Sequence, residues 1–295
     1  MNSRVSRSDS WPTPLPPGPA GARVGGGFDL TETVFALFST LIEARTGIHY
    51  EPRDRPLLAG KLEAGAAVSG ATSPLDYYYL VRDDPASGAA FDGLIDAIVV
   101  NETYFFREAE QLTALCEGVL APLCRAGKRP RVWSAACATG EEPLTLAMML
   151  DGMGLLSEVD IVASDIGRAV LARAKAGGYG ERSVRLLPRG VMGRWLTRED
   201  GNVTVLPRLH EAIDWRRVNL VDAEAVGALG TFDAILCRNV FIYFGDETIR
   251  RVVQSLTARL NEHAPLLVGA AESLLQFDTG LKWTERCGAF FHVRS

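Results

Sequence analysis

The sequence predicts an α/β protein in which a small all-α amino-terminal domain precedes a doubly wound domain. Residues 28–100 contain four segments in which apolar residues recur at helical spacing. Residues 131–150 then read as a short strand, a turn of small residues and a helix. Strand-like runs follow at 159–163, 232–236 and 266–269 and alternate with helical ones, the pattern of a parallel sheet covered by helices.

The 295-residue chain has the composition of a globular protein, with 47% hydrophobic residues and a net charge of −5. It contains no apolar run of membrane-spanning length, and its amino terminus lacks the apolar core of a signal peptide. Its five cysteines form no CxxC pair and its four histidines are scattered singly, so we expect reduced thiols and no metal site. We expect a cytoplasmic monomer with no nucleic-acid partner and no direct insertion into a membrane.

Four regions follow one another along the chain. Residues 1–27 hold five prolines and a run of three glycines, a composition that predicts a disordered tail. The remaining regions are an all-α domain at 28–100, a linker and connecting helix at 101–123, and the doubly wound domain at 124–295. The predicted helices of the all-α domain lie near 28–47, 55–66, 74–82 and 89–100.

The doubly wound domain begins with a turn that predicts a ligand site. Residues 134–140 have almost no side-chain bulk, and Pro143 suits the first turn of the helix that follows. Such a turn presents backbone N–H groups at the carboxyl edge of a parallel sheet, where nucleotide-like ligands bind. Because Glu141 and Glu142 would repel a phosphate, the turn favours a cationic or zwitterionic nucleoside such as S-adenosylmethionine. An ordinary connection between a strand and a helix explains the turn about equally well.

A second polar position follows the next strand. Asp165 stands at the carboxyl end of the predicted strand 159–163, where an acidic side chain can accept both ribose hydroxyls of a nucleoside. Asp165 could instead cap the helix that starts near Gly167, and both roles could hold, because Ser164 beside it is also available to cap.

Charge is distributed unevenly along the chain. Residues 28–120 hold six Lys and Arg against fifteen Asp and Glu, whereas residues 182–217 hold eight Arg against four acids. The basic segment is expected to dock an acidic protein substrate, although a solvated surface would show the same composition.

Four motifs occur in one order along the chain, and together they resemble the CheR family of chemoreceptor glutamate methyltransferases. They are Asn-Glu-Thr-Tyr-Phe-Phe-Arg at 101–107, the turn sequence at 133–143, Ala-Ser-Asp-Ile at 163–166 and Cys-Arg-Asn-Val-Phe-Ile-Tyr-Phe at 237–244. The resemblance extends over residues 28–293. It implies a Rossmann-like methyltransferase domain with a small antiparallel β-subdomain inserted near residues 184–217.

The resemblance also implies an activity and a set of site residues. The chain would transfer a methyl group from S-adenosylmethionine to glutamate side chains in the cytoplasmic domain of methyl-accepting chemoreceptors, leaving S-adenosylhomocysteine. Arg107 and Tyr243 are the expected catalytic residues, and no metal is expected. The expected cofactor-binding residues are Asn101, Thr103, Arg107, Glu142, Asp165, Asn219, Leu220, Arg238 and Asn239.

Two other functions are compatible with such a fold. A non-catalytic module that binds S-adenosylmethionine for signalling is one alternative, and a methyltransferase acting on a different protein is the other.

The sequence departs from the family in three places. The family pattern has Tyr-Ser where this chain has Leu144-Thr145, and Gly-His-Ser-Glu where it has Gly-Ala-Ala-Glu at 269–272. We interpret both as changes in the lining of the site. Residues 63–70 carry no basic side chain, so receptor docking is expected to rely on the insertion.

Overall fold

A computed structural model describes residues 28–85 and 88–294. The predicted tail at 1–27 lies outside the described residues. Four helices make up the amino-terminal part: α1 Glu32–Thr46, α2 Arg55–Ser69, α3 Pro74–Asp83 and α4 Ala89–Ile98. They enclose their own core, in which Phe38, Ile42, Leu58, Leu62 and Tyr77 are fully buried. This confirms the all-α character predicted for the region, while the domain boundaries at 100 and 123 stay predictions.

A connecting segment leads from the helices to the sheet. It consists of α5 Ala109–Leu115, a π-helical stretch Cys116–Leu120 and α6 Ala121–Arg125. Its buried face, with Leu112, Leu115 and Leu120, packs on the sheet and joins the core there. The sequence predicted a single helix over these residues, and the π-helical stretch is the difference.

The doubly wound domain has a seven-stranded sheet with helices on both faces. Its strands are β1 Arg131–Ala135, β2 Asp160–Asp165, β6 Ile213–Arg217, β7 Ala234–Leu236, β8 Pro265–Leu267, β9 Leu281–Arg286 and β10 Ala289–Arg294, and its helices α7 Glu141–Gly152, α8 Arg168–Ala176, α11 Ala223–Ala228 and α12 Asp246–Thr257. The strand order is β6-β2-β1-β7-β8-β10-β9, and only the pairings made by β10 are antiparallel. The predicted α/β, Rossmann-like fold is therefore confirmed.

Strand β1 shows why the sheet has two cores. Its side chains alternate between the two faces, as in any strand. Val132 packs with α7 on one face, whereas Trp133 and Ala135 pack with α11 and α12 on the other. The Trp133 ring stacks on Phe232 at 5.4 Å, and its Nε1 donates to Ser164 Oγ at 2.8 Å. All of these strand residues are buried, which is the expected state of a central parallel strand.

The insertion lies earlier in the chain than the sequence predicted, at 178–211 and not at 184–217. A three-stranded antiparallel sheet is formed by β3 Gly178–Tyr179, β4 Leu196–Glu199 and β5 Asn202–Val205, with the short helices α9 Glu181–Val184 and α10 Pro207–Glu211 beside it. The predicted insertion at 184–217 extended too far toward the carboxyl terminus, because Ile213–Arg217 is β6 and pairs in parallel with β2 in the main sheet. As an edge strand, β6 has exposed polar positions, and this gives it the alternating pattern of an antiparallel strand.

Within the part of the chain described, no helix is both long and apolar enough to cross a membrane.

Two glycines with left-handed backbone, one inside the turn after β1 and one outside it, test how closely that turn is packed. Gly140 has φ +91°, and a Cβ atom there would lie 2.8 Å from the Trp215 ring, whereas Gly154 has φ +74° and open space around it. Gly154→Ala should therefore cost only the left-handed backbone, about 1–2 kcal/mol of unfolding free energy. Gly140→Ala should cost about 1–3 kcal/mol more, because it also overpacks the turn. Urea denaturation measures both, and equal losses would contradict the contact with Trp215.

Candidate active site

The turn after β1 is held in an unusual backbone conformation. Ala136 and Ala138 have φ of 55° and 49°, in the left-handed region that costs a non-glycine residue about 1–2 kcal/mol. The contact of Gly140 with Trp215 and the small size of the intervening residues keep side chains out of the turn. The turn therefore presents mainly backbone to the carboxyl edge of the sheet, as the sequence predicted.

Asp165 lies at the carboxyl end of β2 and joins this turn to the next one. Its Oδ2 accepts from the Ala138 N–H and its Oδ1 from the Gly167 N–H, both at 2.9 Å. Burial raises the pKa of this carboxyl group, and the N–H groups oppose the rise. A carboxylate offers about four acceptor positions, so Asp165 retains capacity for a ligand.

The alternative role proposed for this position, helix capping, is not what the structure shows. The N-cap of α8 is Gly167, which has no side chain, and the first-turn N–H of Ala169 donates to Asp96 Oδ1 of the helical domain at 3.4 Å. Ser164 is committed elsewhere, because its hydroxyl accepts the indole N–H of Trp133. The interpretation of Asp165 or Ser164 as a helix cap is therefore wrong.

The two glutamates at the start of α7 have separate environments. Glu141 is 1% exposed, and it accepts from the hydroxyls of Thr139 at 2.6 Å and Ser183 at 2.7 Å. Glu142 turns toward the end of β1, where it accepts from Ser134 Oγ at 2.7 Å. Glu141 is thus part of the packing between the turn and the insertion, and Glu142 is the one that lies at the strand ends.

Arg238 follows β7 and is buried between two carboxylates. Its Nη1 donates to Glu142 Oε2 at 2.9 Å and its Nη2 to Glu108 Oε2 at 2.9 Å and to the Arg107 carbonyl at 3.0 Å. Burial alone would raise the pKa of Glu108, but Arg238, the Ala270 N–H and Arg107 together outweigh burial and hold that pKa below its usual range. Arg238 therefore joins the linker, α7 and β7, a role that the sequence did not reveal.

The linker at 101–108 is fixed by its aromatic residues and by Thr145. Phe105 is fully buried against Tyr179, with ring centroids 4.8 Å apart. The Phe106 N–H donates to Thr145 Oγ1 at 3.1 Å, and the same hydroxyl donates to the Glu141 carbonyl at 2.6 Å. Thr145, which the sequence analysis treated as a change in the lining, is thus a direct support of the linker.

The remaining linker candidates point away from the core. Asn101 is exposed and Thr103 is half-buried. Arg107 is half-buried, and its Nη1 donates to the Glu102 carbonyl at 2.8 Å. Its guanidinium lies 5.9 Å from the Tyr104 ring centroid. The Glu102 carbonyl and the Tyr104 ring therefore both orient the guanidinium.

Asn219 and Leu220 follow the edge strand β6. Leu220 is buried in the core on the α11 and α12 face. The Asn219 side chain reaches the helical domain, where its Nδ2 donates to the Arg45 carbonyl at 2.6 Å, and its Oδ1 accepts from the Val221 N–H at 3.3 Å. Asn219 therefore links the end of α1 to the segment that follows the edge strand β6.

Asn239 and Tyr243 lie in the loop after β7. Asn239 has φ 61°, and its N–H donates to Glu272 Oε2 at 2.7 Å. Tyr243 is half-buried, and its carbonyl accepts from the His49 N–H at 2.8 Å. Burial raises the pKa of the Tyr243 phenol, the charge of Arg107 opposes that rise, and Glu272 adds to it. Tyr243 therefore stays protonated at neutral pH and lies within electrostatic reach of Arg107.

Three residues that sequence reasoning did not select complete the site. They are Glu108, Thr145 and Glu272, and each makes its contacts with residues distant in the chain. Glu108 directly follows the motif at 101–107, and Glu272 is the last residue of the Gly-Ala-Ala-Glu sequence at 269–272. The available signal was therefore an acidic residue within or next to these sequences.

The thiols near the site are not suited to nucleophilic work. Cys137 and Cys237 are buried, and burial raises the pKa of each thiol well above its usual value. In the described residues, no group of three or more His, Cys, Asp and Glu side chains could hold a metal ion.

A cavity of about 860 Å³ lies at the opposite edge of the sheet, by the amino ends of β1, β2 and β6. Four of its charged residues form two ion pairs, Arg129 with Asp160 at 2.7 Å and Arg208 with Asp151 at 3.1 Å. All the residues predicted for the site lie at or near the other edge, so this cavity is separate from it.

Residues 101–287 match the family model described as CheR methyltransferase, SAM binding domain. The chain is 33% identical over 271 residues to chemotaxis protein methyltransferase 2 of Vibrio cholerae, covering 90% of both chains. It is 34% identical to the chemotaxis protein methyltransferase of Klebsiella aerogenes, covering 88% of this chain and 89% of that one. It is also 30% identical to the probable biofilm formation methyltransferase WspC of Pseudomonas putida, covering 87% of this chain and 61% of the relative. The chain therefore belongs to the CheR family of methyltransferases that use S-adenosylmethionine.

Proposed function

We propose that this protein methylates glutamate side chains in the cytoplasmic domain of methyl-accepting chemoreceptors and thereby forms glutamyl methyl esters in the cytoplasm. The observation that supports this most is the placement of Arg107 and Tyr243. A fixed cation in the linker and a protonated phenol in the loop after β7 lie within electrostatic reach of each other. A carboxylate that enters between them would find two hydrogen-bond donors.

The residues at the carboxyl edge of the sheet fit S-adenosylmethionine. Asp165 has acceptor capacity left for the ribose hydroxyls, and the acidic group Glu142 suits the positive charges of this cofactor. When bound, the cofactor supplies an electrophilic methyl group on a sulfonium. The set proposed to hold it is Asn101, Thr103, Arg107, Glu142, Asp165, Asn219, Leu220, Arg238 and Asn239.

The members of this set act in different ways. Glu142 and Arg238 are bonded to each other, and Arg238 has its other contacts in the linker, so Arg238 shapes the pocket wall. The Asn219 amide is bonded to Arg45, which leaves its backbone and Leu220 to border the adenine. Asn101 and Thr103 are accessible side chains at the start of the linker.

The chemistry needs no general base. A solvent-exposed glutamate has a pKa of about 4.3, so its carboxylate is already a nucleophile at neutral pH. Arg107 and the Tyr243 hydroxyl hold that carboxylate in line with the methyl group and exclude water from it. The buried thiols and scattered histidines are not required for any step.

We assign substrate docking to the insertion, in which residues 178–211 hold six Arg against four acids. Arg194 and Arg198 are exposed there, the first stacked on Trp195 at 4.2 Å and the second paired with Glu181. An acidic receptor surface is attracted by this charge, and the attraction is weakened by salt. The acidic helical domain does not provide such a counterpart.

Removing the charge of Asp165 tests the cofactor site. Asp165→Asn keeps the side-chain volume but loses a charged acceptor, so affinity for S-adenosylhomocysteine should fall about tenfold or more. Asp233→Asn is the matched control, because Asp233 also accepts a backbone N–H, from Arg131 at 2.9 Å, at the opposite edge of the sheet. Calorimetry measures both affinities, and equal values for Asp165→Asn and wild type would contradict the assignment.

Removing one hydroxyl tests the role of Tyr243. Tyr243→Phe should lower kcat by about tenfold or more, because a donor to the carboxylate is lost in the transition state. Cofactor affinity should change little. Tyr79→Phe, on the exposed face of α3, serves as the control and should retain full turnover. A Tyr243→Phe enzyme with wild-type kcat on a receptor fragment would exclude the hydroxyl from catalysis.

Charge reversal tests the docking surface. The double variant Arg194→Glu/Arg198→Glu should raise KM for a receptor fragment about tenfold at low salt, and the difference should shrink at high salt because the attraction is screened. The pair Arg250→Glu/Arg251→Glu makes the same charge change on the exposed surface of α12 and should leave KM near the wild-type value. Steady-state kinetics at two ionic strengths measure KM for both double variants. An equal rise in KM in both would show that the effect comes from net charge and not from the insertion.

A further inference from the structure

Glu272 lies in a tight turn after β8 and collects backbone N–H groups from two loops. Its Oε2 accepts from Gly269 and from Asn239, each at 2.7 Å, and its Oε1 accepts from Ile242 at 3.4 Å. Its own N–H donates to the Gly269 carbonyl at 2.9 Å, which closes the turn. One side chain therefore joins the loop after β8 to the loop after β7.

The electrostatics of this arrangement are those of an anion in a backbone nest. Burial raises the pKa of Glu272, while the N–H groups of Gly269 and Asn239 oppose the rise and stabilise the charged form. Charge-assisted bonds of this kind are about twice as strong as neutral ones. These backbone hydrogen bonds explain how the Glu272 carboxylate is accommodated in the fold without a salt bridge.

The contact with Glu272 restricts the backbone conformation of the loop after β7. Asn239 has φ 61°, a conformation that costs energy and persists only where the surroundings enforce it. A Cβ atom on Gly269 would lie 2.5 Å from Asn239 Nδ2 and 2.9 Å from Asn239 N, so the two loops are in direct contact. The next residue, Ala270, donates its N–H to Glu108 Oε2 at 3.1 Å and connects the turn to the linker.

We infer that Glu272 is a positioning residue for methyl transfer, whose carboxylate fixes the loop after β7 and thereby sets the places of Asn239 and Tyr243. The inference rests on the proposed function for the roles of those two residues. Glu272 itself has its oxygens bonded to backbone N–H groups, so it acts through its neighbours and does not touch the reacting atoms.

The first test is a double-mutant cycle on turnover. Glu272→Gln keeps the shape but replaces one acceptor oxygen by an NH₂ group facing the N–H groups, and kcat should fall about tenfold. If Glu272 acts through Tyr243, adding Tyr243→Phe should lower kcat less than about twofold further, because coupled residues are non-additive. Full additivity of the two effects would overturn the inference. Glu262→Gln, at a side chain 79% exposed, is the control for loss of one charge and should keep wild-type turnover.

The second test is a cycle on cofactor binding, which needs no receptor. Glu272→Gln should weaken binding of S-adenosylhomocysteine about fivefold, and in an Asn239→Ala background the same change should have almost no further effect. Additive losses by calorimetry would contradict the proposed path through Asn239. Because this cycle uses only the cofactor product, it tests the inference even if receptor fragments are not methylated by the wild-type protein. A wild type that binds but does not methylate would instead contradict the proposed function.

Gly269→Ala is an independent variant in case Glu272→Gln folds poorly. It retains the Glu272 side chain, but the added Cβ would lie 2.5 Å from Asn239 Nδ2 and 2.9 Å from Glu272 Oε2, so the β8 turn must move away from both. It should reproduce the losses in both kcat and cofactor affinity, again without additivity to Tyr243→Phe and Asn239→Ala. A Gly269→Ala protein with wild-type turnover and affinity would show that the contact between the two loops does not position the site.

Discussion

The site depends on one buried ion triad, in which Arg238 lies between Glu142 and Glu108. The Arg238 side chain is 2% exposed, so its charge has lost its hydration and is stable only because both partners are in place. Breaking such a pair typically costs about 3–5 kcal/mol, since the remaining charge stays buried. The three residues belong to β7, α7 and the linker, and the linker has no strand pairing of its own to hold it. Together with the contacts of Phe105 and Phe106, the triad therefore holds the linker and Arg107 at the carboxyl ends of the strands.

The insertion is connected to the same edge, although it forms a separate small sheet. The Tyr179 hydroxyl donates to the Thr139 carbonyl at 2.9 Å in the turn after β1, and the Phe105 N–H donates to the Ser183 carbonyl at 2.9 Å. The Ser183 hydroxyl also binds Glu141. The base of the insertion thus supports both the cofactor turn and the linker. If the substrate docks on the insertion as proposed, these contacts would hold it at a fixed distance from Arg107 and Tyr243.

Sequence patterns predicted those parts of the structure that depend on local periodicity and on motif order. The buried strand β1, its small-residue turn and the position of Asp165 follow from residue size and spacing within a short window. The placement of β6 was wrong because an edge strand carries the same alternation as an antiparallel one. The difference between Glu141 and Glu142 and the contacts of Thr145 could not be predicted, because they depend on partners such as Ser183 that only the tertiary structure brings close.

An enzyme that methylates carboxylates must also keep its own carboxylates from reacting. Asp165, Glu142 and Glu272 all lie near the edge where the methyl donor is expected, yet each has its oxygens engaged, by backbone N–H groups, by a hydroxyl or by Arg238. Hydrogen bonds to a carboxylate withdraw charge from its lone pairs and fix their direction, which lowers their reactivity toward an electrophile. In the proposed function the incoming glutamate is also hydrogen-bonded, by Arg107 and Tyr243, but those bonds leave one lone pair directed at the methyl group. Selectivity between the protein's own acids and its substrate can therefore arise from geometry, without a difference in intrinsic nucleophilicity.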